Sequence, residues 1–510
     1  MSSGLWVTCP AYSESDMDRY LSKLIDSLDH WFGVPVSGRK HSTALLTEEC
    51  EARLGRILSA RRVTLYWPVL WEKMRPILAE RFPLAAYSAI AAPEQAFRDA
   101  LERVMEDATR HNGAKLYQEY PELERIDRSI CESYASFTDE VFRALEKKRD
   151  EISTAFFGGR DFGKITWICL PDESDASTRP GGRSALMLES EGGRFYYKPR
   201  NCTVEMVYSQ LMERMFPEMG PACDCISGDC ASLTEYIKKQ PLSSEADADE
   251  YYWRMGVLTA VFFSFLSDDM HGGNFIPQVN RPVPIDLETL LTPMPLAIGL
   301  PMFRITNLEF LNINSGASPL FIPPSGGGKS SPPELNGRPV SVLGREKPYL
   351  SGFSDAYRRI RDNAGAWISI LRDHSEMPLR FVPNSHDIYK KILRGITSPE
   401  LLRSAKARDI WLDRLRAQVA DPLDLGMWES EIEDLLHLDM PDYIIRAGGN
   451  TVFRQDGTVL SENKLRSPLD FTTKRLNSMS EEELHTACDD LRGLLDNYRR
   501  MSENWFTNCK

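Results

Sequence analysis

Two short polar segments between residues 267 and 288 carry the side-chain types that phosphoryl transfer requires. They read Ser267-Asp-Asp-Met-His-Gly-Gly-Asn274 and Pro284-Ile-Asp-Leu-Glu288. In that reaction an aspartate positions the acceptor hydroxyl and takes its proton, while asparagine and aspartate oxygens hold Mg²⁺. The first segment on its own also fits an ordinary glycine-containing turn. The second segment favours a functional site over a simple turn. Its acidic pair lies in an otherwise apolar strand, predicted over 283–288, and charges there are costly unless they bind something.

A lysine that neutralises nucleotide phosphates would complete such a site. Lys198, in Tyr-Tyr-Lys-Pro-Arg200, ends a predicted strand and lies upstream of both segments. The order of strand lysine, D-x-H-x-x-N and D-x-E is that of a kinase, with a likeness to lipid kinases, although no GxGxxG loop is visible. Asp161-Phe-Gly163 spells the kinase magnesium motif but precedes the lysine, so we predict a turn there.

The elements that must position these residues change in type along the chain. Helical periodicity covers 14 to about 155, with clear patterns at 17–31, 50–65, 94–110 and 128–148. Short β-rich runs at 164–170, 184–188 and 194–198 predict a β-meander that leads into a helix after Glu205. A buried helix is predicted over 251–270, a mobile loop over 313–338, and helices over 348–373, 387–395, 398–419 and 480–500.

Composition sets wider limits on the class of protein. The chain has 510 residues, 42% hydrophobic and 26% charged, which is globular composition and suggests about three structural units. The net charge of −13 disfavours general nucleic-acid binding, because neutralising phosphates needs a basic patch. The longest apolar run, 257–266, has about half the length of a transmembrane helix, so no membrane insertion is expected.

The cysteines and the first residues indicate the compartment. Ten cysteines are scattered without a CxxC pair, and the first twenty residues show no signal-peptide pattern, so we expect free thiols and a cytoplasmic location. Cys223, Cys225 and Cys230 lie close in sequence but have no zinc-site partners nearby, which disfavours a metal there.

Several motifs together resemble one enzyme family. Tyr-Tyr-Lys-Pro-Arg200, Asp-Asp-Met-His-Gly-Gly-Asn-Phe275 and Pro-Ile-Asp-Leu-Glu288 are similar to motifs in the dehydratase domain of class II lanthipeptide synthetases. Further likeness lies in Gly-Phe-Ser-Asp-Ala-Tyr357, in Arg380-Phe-Val-Pro-Asn-Ser-His-Asp-Ile-Tyr389 and in Asp-Met-Pro-Asp-Tyr443. The resemblance covers about 195–445.

The resemblance implies a two-step reaction and a role for each matching residue. ATP phosphorylates Ser or Thr in a ribosomally made precursor peptide, and elimination of phosphate then leaves a dehydroamino acid. By this resemblance Asp269 is the catalytic aspartate, and His271 supports it. The family pattern further implies ATP contacts by Lys198, Arg200 and Asn274, Mg²⁺ ligation by Asn274, Asp286 and Glu288, and elimination by Arg380, with His386 in the position of a family threonine.

The resemblance also implies a fold and partners. We expect an α+β fold with a two-lobed, lipid-kinase-like core: a helical region at 1–155, lobes at 156–250 and 251–470, and a C-terminal helix at 471–510. The chain ends where the zinc cyclase domain of a full synthetase would begin, so the expected partners are the precursor peptide and a separate cyclase or other modifying enzyme.

Three departures leave alternatives open. The family threonine is His386 here, its second arginine is Asn384, and the region around Asp175 lacks the family's histidine. The elimination step is therefore less supported than the kinase step. A kinase that stops at a phosphorylated peptide, protein or small molecule is one alternative, and a catalytically silent binding protein is another.

Overall fold

The computed structural model describes residues 121–169, 179–229, 231–267, 270, 272–291, 294–295, 320, 332–384, 386–416 and 426–508. The helices predicted before residue 121 lie outside these residues, and so do Asp269 and His271. Within the described ranges the architecture mixes helices with antiparallel strands, so the α+β prediction is confirmed.

The helices are α1 (Pro121–Lys147), α2 (Arg149–Phe157), α3 (Thr203–Met215), α4 (Glu245–Phe265), α5 (Glu346–Asp362), α6 (Ala364–Asp373), α7 (His386–Ile396), α8 (Pro399–Leu402), α9 (Ala405–Arg416), α10 (Trp428–Leu436), α11 (Pro468–Asn477) and α12 (Glu481–Asn508).

The strands are β1 (Ile165–Cys169), β2 (Leu186–Ser190), β3 (Gly193–Lys198), β4 (Cys225–Ile226), β5 (Ser232–Glu235), β6 (Phe275–Gln278), β7 (Arg281–Pro284), β8 (Met294–Pro295), β9 (Glu334–Leu335), β10 (Arg338–Pro339), β11 (Pro378–Phe381), β12 (Tyr443–Arg446), β13 (Val452–Phe453), β14 (Val459–Ser461) and β15 (Leu465–Arg466).

The chain divides into two compact units. The first contains the described residues up to Pro199 together with those from Val382 to Asp442, and the second contains those from Arg200 to Phe381 and from Tyr443 onward. The four domains expected from the sequence stay a prediction.

The predicted β-meander is present in the first unit. Strands β1, β2 and β3 pair antiparallel, and the pairing of Ser190 with Gly193 leaves Glu191 and Gly192 as a two-residue turn. Phe195 and Tyr197 are buried on one face of β3. Because side chains alternate along a strand, Lys198 leaves the sheet on the opposite side from Tyr197.

A second part of the first unit is helical. Helices α7, α9 and α10 share an apolar core. Its buried members are Tyr389, Ile392, Ile396, Leu412, Leu435 and Met440. The helix predicted over 398–419 is divided into α8 and α9, and residues 417–419 lie outside the described ranges.

The second unit is organised around α4, the predicted apolar helix. It begins at Glu245, earlier than predicted, because the Ser244 hydroxyl caps it by accepting a hydrogen bond from the backbone N–H of Asp247. It ends where Leu266 takes a left-handed conformation, with φ 57°. Every residue from Met255 to Phe265 is buried, so this part of the helix is a core element.

Helix α5 crosses α4 at very short range through two glycines. A Cβ built on Gly352 would lie 2.0 Å from the carbonyl oxygen of Trp253, and one built on Gly256 would lie 2.0 Å from that of Tyr349. The single helix predicted over 348–373 is interrupted at Asn363, whose side-chain amide donates to the carbonyl of Arg359. Such side-chain competition for backbone groups favours a helix end.

Two local predictions need correction. The strand predicted through Glu288 ends at Pro284. The segment opposite its continuation, Gly272–Asn274, forms a short 3₁₀ helix instead of a strand, although the backbone N–H of Ile285 still donates to the carbonyl of Asn274. The mobile loop predicted over 313–338 contains the β9–β10 hairpin in its described part. Asn336 and Gly337 make its turn with φ 53° and 72°, as an Asn-Gly pair favours.

The turn predicted at Asp161–Gly163 is confirmed. The Asp161 carboxylate accepts a hydrogen bond from the backbone N–H of Gly163, which makes the segment a turn. Cys202, Cys223, Cys225 and Cys488 are free thiols. Within the described ranges, no helix combines the length and apolarity needed to cross a bilayer.

Candidate functional site

The hairpin β6–β7 brings together two of the predicted site residues. Phe275 pairs with Pro284, and one step beyond the strands the backbone N–H of Ile285 donates to the carbonyl of Asn274 at 3.0 Å. Asn274 and Asp286 therefore leave the same end of the hairpin. Two oxygen-bearing side chains from adjacent backbones are an arrangement that suits a hard divalent cation.

Arg200 lies at the centre of a carboxylate cluster that includes Asp286. Its Nη2 donates to Asp286 Oδ1 at 2.5 Å and to Glu205 Oε1 at 2.5 Å. Its Nη1 donates to the second oxygen of Glu205 at 3.1 Å, and its Nε lies 3.1 Å from Glu288 Oε2. The guanidinium thus joins the first turn of α3 to the loop that follows β7.

Glu288 lies between two arginines. While one of its oxygens contacts Arg200, the other accepts a hydrogen bond from Arg380 Nη1. Arg380 is positioned by β11, where it pairs with Ile444 of β12 inside a four-stranded antiparallel sheet. Asp286 and Glu288 are two residues apart, with Leu287 between them buried in the core, so both carboxylates can reach Arg200.

Electrostatics explain why a buried arginine is tolerated here. Burial alone would lower the pKa of Arg200, but the negative potential of Cys202, Glu205, Asp286 and Glu288 more than offsets it and raises the pKa well above its ordinary value. A charge-assisted bidentate pair such as Arg200–Glu205 is among the stronger hydrogen-bonded contacts in proteins. Arg200 is therefore a fixed cation.

Exposure distinguishes the three carboxylates. The Asp286 side chain is 39% exposed, whereas those of Glu288 and Glu205 are 10% and 5% exposed. Solvent, a metal ion or a ligand phosphate therefore reaches the cluster at Asp286.

The residues present fit a Mg²⁺ ion held by few protein ligands. Among the residues that the structure describes, no three His, Cys, Asp or Glu side chains form a metal-binding group. Mg²⁺ commonly keeps several waters and takes only one or two carboxylates plus substrate phosphates. Asp286 and Asn274 meet that requirement, whereas both oxygens of Glu288 contact arginines; its predicted metal ligation stays a prediction.

The remaining predicted site residues lie elsewhere in the chain. Lys198 is the last residue of β3 and His386 is the first residue of α7, both in the first unit. Asp269 and His271 lie outside the described residues. The predicted roles of these four residues stay predictions.

Sequence reasoning missed Glu205, the residue that holds Arg200. The available signal was a carboxylate on the buried side of α3, where Tyr208 and Met212 follow it at helical spacing. A charge on an apolar helix face is costly unless it is paired, and the arginine five residues earlier is that pair.

The first unit contains another missed contact, at residues that flank His386 in the sequence. Glu431 of α10 is buried, and its Oε1 accepts hydrogen bonds from the Asn384 amide at 2.8 Å and from the Tyr389 hydroxyl at 2.5 Å. The Tyr389 hydroxyl in turn accepts from the backbone N–H of Asn384 at 3.3 Å. These bonds fix the segment that leads into α7.

Comparison with known proteins places the chain in a family. A model described as "Domain of unknown function (DUF4135)" matches residues 120–315 and 301–446, more than half of the chain, and the chain belongs to that family. It is also similar to a protein named "Lacticin 481/lactococcin biosynthesis protein LcnDR2" of Lactococcus lactis subsp. lactis. The two are 24% identical over 134 residues, a stretch that spans 24% of this chain and 14% of that relative.

Proposed function

We propose that this protein is a lanthipeptide-type dehydratase. It uses ATP to phosphorylate Ser or Thr in a ribosomally made precursor peptide and then eliminates the phosphate. The observation that carries the proposal is the exposed carboxylate of Asp286, held by Arg200 beside Asn274 at one hairpin end. The likeness to a protein named for lacticin biosynthesis supports a peptide substrate.

In the first step the chain binds and orients both reactants. Asn274 and Asp286 would hold Mg²⁺, which when bound neutralises phosphate oxygens of the nucleotide. Arg200 keeps the Asp286 carboxylate in place, and Lys198 would contact the phosphates. Asp269 accepts the proton of the Ser or Thr hydroxyl, and His271 supports that aspartate. The hydroxyl oxygen forms a bond to the γ-phosphorus while the bond between the γ-phosphorus and the ADP oxygen breaks.

In the second step a base removes the Cα proton of the phosphorylated residue. The electron pair forms the Cα–Cβ double bond, and the Cβ–O bond breaks to release phosphate. Arg380 would bind the leaving phosphate, since guanidinium groups bind phosphate oxygens bidentately. His386 would serve as the base or protonate the leaving group, because an unperturbed imidazole exchanges protons near neutral pH and suits both roles.

The proposal includes a setting for the reaction. It implies a two-lobed, lipid-kinase-like core and action in the cytoplasm, where both ATP and precursor peptides are found. Ring formation from the dehydrated residues would then fall to a separate cyclase or other modifying enzyme.

Mass spectrometry tests the proposal directly. The full chain is incubated with ATP, Mg²⁺ and short Ser/Thr/Cys-rich peptides encoded beside its gene. Loss of one water per modified residue supports the dehydratase, and omission of ATP should abolish it. A chain that shows neither metal-dependent nucleotide binding nor any mass change would be a silent binding protein, and the proposal would fail.

A kinase that stops after phosphorylation is the second candidate, favoured by a specific observation. Asn384 and His386 replace the family's arginine and threonine, and Asn384 is engaged with Glu431. Accumulation of a phosphorylated peptide by the wild-type protein, with no dehydrated product at long times, would establish this candidate.

A further inference from the structure

Glu205 belongs to none of the motifs that suggest the activity, yet it makes a bidentate contact with Arg200 in the carboxylate cluster. Its side chain is 5% exposed, and both of its oxygens bind the terminal nitrogens of Arg200. It lies in the first turn of α3, a helix whose buried face includes Val204, Val207 and Leu211. The carboxylate is therefore anchored to a packed element.

We propose that Glu205 is a positioning residue for the divalent cation, acting through Arg200. This inference rests on the proposed function and assigns a role to a residue outside the metal-binding loop. Glu205 fixes the guanidinium, which in turn orients Asp286 at 2.5 Å and Glu288 at 3.1 Å. Asp286 then presents its carboxylate to solvent without rotating freely.

Charge supplies a second part of the argument. Glu205, Asp286 and Glu288 all contact Arg200, so Glu205 supplies part of the negative charge that balances this guanidinium. Removing the Glu205 charge makes the surroundings of Asp286 more positive, which disfavours a cation. Arg200 would also lose its bidentate partner and compete more strongly with the cation for Asp286, so both effects weaken cation binding.

The geometry argues against a purely structural role for the pair. Replacing a buried ion pair by apolar residues is often neutral or stabilising for a fold, so stability alone does not explain this one. A bond from Arg200 to the exposed Asp286 adds nothing to core packing, but it does hold a candidate ligand. Partners that orient metal ligands typically change metal affinity by about 10–100-fold when mutated.

The test measures cation binding as well as turnover. Mn²⁺ replaces Mg²⁺ as a spectroscopic probe, and its binding to the full chain in the presence of ADP is followed by electron paramagnetic resonance. We expect Glu205→Gln to weaken Mn²⁺ binding roughly 10-fold or more and Glu205→Asp, which keeps the charge, to restore most of it. Glu213→Gln, an exposed position on the same helix, should match the wild type.

A kinetic split and a double-mutant cycle separate positioning from misfolding. Glu205→Gln should raise the Mg²⁺ concentration needed for half-maximal phosphorylation, while saturating Mg²⁺ brings kcat back near the wild-type value. A misfolded variant would lose kcat at every Mg²⁺ concentration.

In an Arg200→Met background, adding Glu205→Gln should change Mn²⁺ affinity little, because the effects of mutating residues that act as one unit are not additive.

The outcomes distinguish the two proposals. If the wild type lacks Mn²⁺-dependent nucleotide binding, the proposed function fails. If the wild type binds but folded Glu205→Gln binds Mn²⁺ equally well, or if its effect is unchanged in the Arg200→Met background, the positioning role is wrong and the proposed function stands.

Discussion

Asp286 has the most exposed side chain of the three carboxylates that contact Arg200, and that makes its own substitution informative. In Asp286→Ala, Arg200 keeps Glu205 and Glu288 as partners, so the fold should survive. We expect Mg²⁺-dependent nucleotide binding to fall at least about 10-fold. Calorimetry with ADP and Mg²⁺ measures nucleotide binding, with Asp229→Asn, at an exposed position, as the control. If Asp286→Ala still bound nucleotide tightly in the presence of Mg²⁺, Asp286 would not be part of the metal site.

Asp269 is predicted to act on the acceptor hydroxyl. Asp269→Asn should therefore bind ATP normally but transfer phosphate about 10²–10⁴-fold more slowly, the usual cost of losing a positioned base. Nucleotide binding and peptide phosphorylation are measured on the same preparation. Unchanged turnover would show that another group takes the proton.

Arg380 tests the elimination step. Its removal leaves Glu288 in contact with Arg200, so the first step should continue. We expect Arg380→Ala to slow elimination roughly 10²-fold or more and to accumulate phosphorylated peptide, since a leaving anion loses its donor. His386→Ala should give the same product.

The control for Arg380 lies on the adjacent strand. Arg446→Ala removes an exposed arginine of β12 that pairs with Pro378 rather than with the cluster, and it should dehydrate at the wild-type rate. If both Arg380→Ala and His386→Ala dehydrated the peptide at the wild-type rate, other residues would carry out the elimination.

At the scale of elements, the crossing of α4 and α5 depends on glycine. A Cβ at position 352 would lie 2.0 Å from the Trp253 carbonyl oxygen, so the helices must separate to admit it. We expect Gly352→Ala to lower the free energy of unfolding by about 1–3 kcal/mol, the usual cost of overpacking. Gly493→Ala, an exposed position within α12 with open space around it, should instead raise the free energy by up to about 1 kcal/mol.

Urea denaturation compares the two glycine variants. Equal stabilities for Gly352→Ala and the wild type would mean that α4 and α5 can move apart without loss of packing.

At the scale of the whole molecule, an acidic chain should lose stability in acid where its carboxylates are paired. Hydrogen bonds from Arg358 and then Arg361 lower the pKa of Glu481 to about 2. A folded-state pKa below the unfolded value means that the pair stabilises the fold above about pH 4.5, and that this contribution is lost as the pH falls toward 2.

Glu481→Gln should accordingly be slightly less stable than the wild type at pH 6, with the difference shrinking as the pH falls through about 2. The effect is small because the group is exposed, and high salt should reduce it further. Urea denaturation across this pH range, with exposed Glu482→Gln as the control, measures it. A difference of the same size at pH 2 and at pH 6 would point to packing instead.

The sequence alone determined the local elements and the list of candidate residues. Periodicity and β-rich runs were sufficient for α4, α12 and the meander β1–β3, because those signals come from neighbours within one element. Motif spacing likewise identified Asn274, Asp286 and Arg380 as candidates. Their catalytic roles stay predictions.

Only the tertiary structure decided how charges are paired. Arg200 contacts Asp286, 86 residues away, and Arg380 contacts Glu288, 92 residues away, and no local pattern encodes such separations. The close approach at Gly352 likewise depends on a partner remote in sequence, the carbonyl oxygen of Trp253. Glu205 gained its importance in the same way. An acidic residue on the buried side of α3 became the anchor of a cluster once folding brought Arg200, Asp286 and Glu288 together, since buried charges must find partners wherever the fold supplies them.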